Sequence, residues 1–199
     1  MTFGPEYNNP TGKRNALASF KYWLKTVVPP AGVDDFSYSF VSDVSNPKVF
    51  SNVGVSELPY FQPGVTAFGM EVFPKNDFPV GAATTQGTLS VMLLQIDIKT
   101  DQPVGRDGLQ KLYRIRDRIA AALRRAGIPN PDPPYTVQVP GIEVRDFSQG
   151  GNGESTGIYA RVPLNQDTAI QEQPAPPDET TPNLNTLRLL VLLEWFELN

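Results

Sequence analysis

Asp97 and Asp101 are the two carboxylates whose spacing could support acid–base chemistry. They flank the end of the apolar run "TLSVMLLQIDIKT", a position where an acid and a base could share a proton. No second polar constellation accompanies them, and solvation or hydrogen bonding at a strand end accounts for both. The glycine-rich "GGNGES" at 150–155 has the outline of a phosphate loop. It lacks the lysine and hydroxyl of the GxxxxGK[ST] pattern, and no helix signal follows it, so it reads as a hairpin tip. A third candidate is electrostatic. Lys111, Arg114, Arg118 and Arg125 stand at i, i+3, i+7 and i+14 of a helical pattern. They form a basic stripe in a chain of net charge −4. A solvated helix face, an acidic neighbouring subunit, or DNA passing nearby would each suit them. Asp167, Glu172, Asp178 and Glu179 supply acidic partners within the same sequence, which favours the subunit contact over DNA.

Much chemistry is excluded by residue type. The 199 residues include no cysteine and no histidine. Disulfides, thiolate nucleophiles and the usual ligands of zinc, copper, haem and non-haem iron are therefore missing. Triads that need a histidine base are missing too. The expectation is a protein that is no enzyme and holds no cofactor or metal. The N-terminal "MTFGPEYNNPTGKR" has no apolar core of a signal peptide. The longest apolar run, Leu187 to Leu193, is too short for a membrane helix. Residence in a cytoplasm follows as an expectation, without a membrane partner.

The elements that must position these residues can be read from periodicity. Leu17, Phe20, Leu24 and Val27 predict a helix over 13–28, stopped by Pro29-Pro30. Strand patterns follow at 36–42, 49–55 and 65–73, the last bounded by Pro74, and then a loop over 75–87. The segment 88–100 is apolar on both faces, as an interior strand requires. Asp107 reads as the cap of a helix over 108–126 that Gly127 ends, with Leu112, Ile115, Ile119, Ala122, Leu123 and Ala126 buried. The basic stripe is placed on its other side. Strands are expected at 135–139, 142–147 and 158–164, with a glycine-rich turn over 148–157. An acidic, proline-rich linker occupies 165–183, and a second interior strand closes the chain, its Leu187, Leu189, Val191, Leu193 and Trp195 on one face. One α+β domain is expected over 1–199, a mostly antiparallel sheet flanked by two main helices with long loop or hairpin arms.

This order of parts resembles a family. An N-terminal helix precedes a long strand ending "LQIDIKTD" and a Gly-Arg-Asp-Gly turn. The helix "LQKLYRIRDRIAAALRRAGI", the strand "GIEVRDF", a hairpin and the final strand "RLLVLLEWFE" follow. Over roughly 16–196 the chain is similar to the tail terminator, or tail-completion, proteins of tailed bacteriophages. The resemblance lies in order and pattern and carries no residue-level site. It implies a homo-oligomeric ring, six-fold in that family, that caps the tail tube, stops its polymerisation and joins it to the head–tail connector. The sheath is a further implied partner, DNA crosses the lumen only in transit, and the location implied is the virion tail or neck after assembly in the host cytoplasm. Other neck, connector or baseplate subunits, and a monomeric binding module, remain alternatives.

Overall fold

The structure is a computed structural model that describes residues 9–27, 69–79, 86–100, 106–129, 131, 134, 137, 139–148, 152–163, 170–174 and 185–198. Two long strands organise it. β2 (Gly87–Thr100) and β6 (Asn185–Leu198) pair antiparallel along their whole length, Gly87 opposite Leu198 and Thr100 opposite Asn185. Opposed residues share a face, so period-2 alternation sorts both strands together. One face carries Met92, Leu94, Ile96 and Ile98 beside Leu187, Leu189, Val191, Leu193 and Trp195, all buried.

α1 (Lys13–Val27) buries Leu17, Phe20, Trp23 and Leu24 in this core, and α2 (Arg106–Arg125) adds Ile119, Ala122 and Leu123. α1 is buried beyond its apolar stripe, because Asn15 and Ser19 are also covered. β1 (Gly69–Pro79) flanks β2, and β5 (Ile170–Pro174) flanks β6, giving the order β1-β2-β6-β5. β3 (Ile142–Asp146) and β4 (Glu154–Ala160) form a separate two-stranded ribbon, its Ile142, Val144 and Ala160 in the same core. The ribbon is tied to the main sheet where Arg161 and Glu194 exchange backbone hydrogen bonds of 2.8 and 2.9 Å. This is the expected α+β architecture, two helices with antiparallel sheets. Among the described residues, no helix is long and apolar enough to cross a membrane.

Several boundaries differ from the sequence reading, each for a physical reason. Pro74 does not end β1, since the register shifts between Pro74 and Asn76 and the strand resumes to Pro79. A bulge on a strand at the end of the sheet order tolerates the missing N–H. The expected 75–87 loop thus loses 75–79 to β1 and Gly87 to β2. The linker expected over 165–183 contains β5, because backbone pairing to Leu187–Val191 needs no apolar periodicity of its own. β4 begins at Glu154, inside the expected turn. Of the strand expected at 135–139, Val137 pairs with Pro129 in an antiparallel bridge, and residues 135, 136 and 138 lie outside the described residues. Asp107 lies within the first turn of α2, which starts at Arg106. The strands expected at 36–42 and 49–55 lie outside the described residues.

Candidate functional site

α2 ends where Gly127 takes a positive φ of 70°, a conformation that favours glycine, and its N–H donates to Val139 O at 2.9 Å. With Ile119, Ala122 and Leu123 inward, the exposed line of the helix runs through Tyr113, Asp117, Ala121 and Arg124. The Arg116 guanidinium lies 4.8 Å from the Tyr113 ring centroid and reaches Asp117 Oδ1 at 2.8 Å. The basic stripe is therefore displaced from the outermost face to one flank: Arg118 is half-buried and Arg125 is exposed. At 100° per residue, positions 118 and 125 lie about 90–110° from the line through Ile119, Ala122 and Leu123, on the flank between the buried and the outermost sides. α2 also carries Lys111 and Arg114, whose side chains lie outside the described part. Of the acidic residues expected to meet this stripe, Glu172 is placed by its backbone in β5, while Asp167, Asp178 and Glu179 lie outside the described residues. No described contact brings the stripe and these acids together.

Asp97 is buried, and its partner is an arginine. It faces Arg188 across the β2–β6 ladder, and Arg188 Nε and Nη2 reach its two carboxylate oxygens at 2.8 Å each. Gln95 Nε2 donates to Asp97 Oδ2 at 2.8 Å, while Gln95 Oε1 is buried without a hydrogen-bond partner. The hydrogen bonds to Asp97 raise the Arg188 pKa above its ordinary value, so the guanidinium keeps its charge. The guanidinium fork engages both carboxylate oxygens in a fixed geometry. Asp97 is thus engaged in hydrogen bonding, as the sequence favoured over an acid–base pair, though inside the ladder and not at a strand end. Asp101 lies outside the described residues. The signal for the pair was present: Asp97 stands between Ile96 and Ile98, and Arg188 between Leu187 and Leu189, charges set in apolar runs.

The glycine-rich turn has the wrong polarity for phosphate. Arg145 Nε and Nη2 take the carbonyl oxygens of Asn152 and Gly153 at 2.9 Å each, and Nη1 meets Glu143 Oε2 at 2.8 Å. The Asn152 and Gly153 carbonyls face the Arg145 guanidinium, where a phosphate cradle would present N–H groups, and β4 follows instead of a helix. Among the described residues, no group of three or more Asp or Glu could hold a metal ion.

Sequence reasoning also missed a polar latch between the chain's two ends. Asn9 Nδ2 donates to Glu197 Oε1 at 3.1 Å and to Leu198 O at 3.0 Å, and the Leu198 N–H donates to Thr11 Oγ1 at 2.7 Å. Trp195 Nε1 donates to Thr11 O at 2.8 Å. Asn15 continues the network to β3, donating to Asp146 Oδ1 and accepting from the Phe147 N–H, both at 3.3 Å. "NPTG" before a helix is a turn-and-cap signature that could have pointed here. The arrangement holds backbone together and offers no open reactive group. No protein-family model, curated protein or solved structure matches the chain.

Proposed function

We propose that the chain is a structural subunit of a tailed phage particle, similar in role to the tail terminators. It would assemble with copies of itself into a ring on the end of the tail tube and join that tube to the head–tail connector. The observation that carries this reading is the order of elements. Among the described residues a helix, a hairpin with one long strand, a second helix, a second hairpin, the short β5 and a long terminal strand follow one another, which is compatible with the pattern that carries the resemblance. The residue chemistry is compatible, since the polar clusters of the described residues bind one another and no histidine or cysteine is present. A ring requires head-to-tail interfaces that close on themselves. Arg118 and Arg125 on the α2 flank would meet carboxylates of a neighbouring subunit or of the tube there.

The test is capping. Purified chain is added to polymerising tail-tube protein, tube lengths are measured by negative-stain microscopy, and particle mass is measured in parallel. Shortened tubes bearing a terminal ring are expected. Rings that leave tube growth unchanged would mark a different neck or connector subunit, and a monomer without effect on tubes would overturn the proposal.

A further inference from the structure

Three exposed apolar side chains converge where α2 passes into β3. Ile128 and Val137 are each 49% exposed, and Tyr159 on β4 is 61% exposed. They are brought together by backbone. Pro129 and Val137 face each other in an antiparallel bridge, and the Gly127 N–H donates to Val139 O. Tyr159 lies so close over Gly141 that a Cβ there would sit 2.9 Å from its ring and 3.7 Å from Gly127 Cα. Two glycines thus let three chain segments approach, and the tyrosine rests on one of them. Exposed Pro129, Pro131, Pro134 and Pro140 stiffen the surround. Arg124 and Arg125, both exposed, stand on the adjoining last turn of α2.

We infer that this corner is the surface through which one copy of the chain docks on another, its tyrosine and aliphatic side chains covered and its arginines facing carboxylates of the second copy. Tyrosine and arginine are the residue types that most often dominate interface energetics. A surface stiffened by proline loses little conformational freedom on docking. The charge argument selects the occupant. Residues 165–183 hold Asp167, Glu172, Asp178 and Glu179 with no lysine or arginine, and β5 sets the backbone of Glu172 beside β6. The chain itself leaves the corner about half exposed, so a second copy can bring carboxylates of this stretch to the arginines.

This inference rests on the self-assembly reading, and the experiment separates the two. Sedimentation equilibrium of wild type, Ile128→Ser/Tyr159→Ser and Arg124→Glu/Arg125→Glu is run over a wide concentration range at low and high salt. Wild type should exceed the 21.9 kDa of one chain. Each double variant should associate at least about tenfold more weakly with an unchanged melting temperature, as expected when hot-spot side chains are lost. Wild-type association should weaken as salt screens the arginines. A wild type that oligomerises with both variants unchanged overturns the corner and leaves the ring reading standing. A wild type that stays at one chain mass overturns both, including the case in which it binds only a different protein. If Ile128→Ser/Tyr159→Ser lowers the melting temperature, the arginine pair decides, since those side chains lie outside the core.

Discussion

Asp97 and Arg188 occupy directly opposed positions, each between two apolar neighbours in its strand. A buried pair of this kind contributes little net stability against an apolar replacement, whereas removing one partner strands a charge. Arg188→Met alone should therefore cost about 3–5 kcal/mol in urea unfolding, while Asp97→Leu/Arg188→Met should recover most of the loss. Equal losses in the single and double variants would show that the pair is not coupled. Its value is register: slipping β6 by one residue moves Arg188 to the face now filled by Leu187 and Leu189. Lys21 on α1 offers a second test. Burial lowers its pKa from 10.5 to about 8, so the folded state disfavours the charged form. Below pH 8 both states are protonated and the penalty is complete. Between pH 8 and 10.5 the unfolded chain binds more protons, so stability should rise with pH over that window. Lys21→Met should raise the midpoint at pH 7 and remove most of that rise. A rise of unchanged size in the variant would assign it to other groups.

At the scale of elements, the long periodic segments were legible and the paired backbone was not. β2, β6 and both helices follow from patterns of ten or more residues, because burial imposes the period directly. β5 was hidden, since "IQEQP" is held by pairing to Leu187–Val191 and its composition matches an acidic loop. The same limit explains the candidate site. The basic residues of α2 were legible as a stripe, and Ile119, Ala122 and Leu123 as its buried side, yet what the stripe meets lies beyond the helix's own pattern. Asp97 was legible as unusual, but its partner lies 91 positions away. Two substitutions test the placement. Leu94→Asp puts a carboxylate into the fully buried face and should abolish the folding transition, whereas Leu190, half-buried on the reverse face, should tolerate Asp with a smaller loss. Similar losses would mean that the two faces are equally closed. Replacing 171–181 with a Gly/Ser connection removes most of β5. Loop length alone would cost little, so a lowered melting temperature and a soluble but aggregation-prone product should report the uncovered β6 edge. An unchanged melting temperature and solubility would show that β5 contributes nothing.

At the scale of the molecule, a chain that assembles with copies of itself has to avoid assembling through its strand edges. β1 and β5 end the described sheet order, and both carry features that discourage edge pairing. β1 has Pro74 and Pro79, a register shift after Pro74, and an exposed Lys75 at the shift. β5 is five residues long, contains Glu172 and ends at Pro174. A proline cannot donate to an added strand, and a lysine on the rim would have to be desolvated when one docks. Strand addition would also be open-ended, giving fibres, whereas a rigid side-chain surface such as the Ile128–Tyr159 corner permits closure. Pro74→Val/Lys75→Thr should therefore leave the core intact, with a melting temperature equal to or above that of wild type. It should also produce concentration-dependent aggregates that bind thioflavin and scatter light, growing faster at high salt as the remaining charges are screened. Aggregates with a lowered melting temperature would mean that the bulge itself holds the fold together. A variant as soluble as wild type would show that the β1 edge is kept from pairing by something other than Pro74 and Lys75.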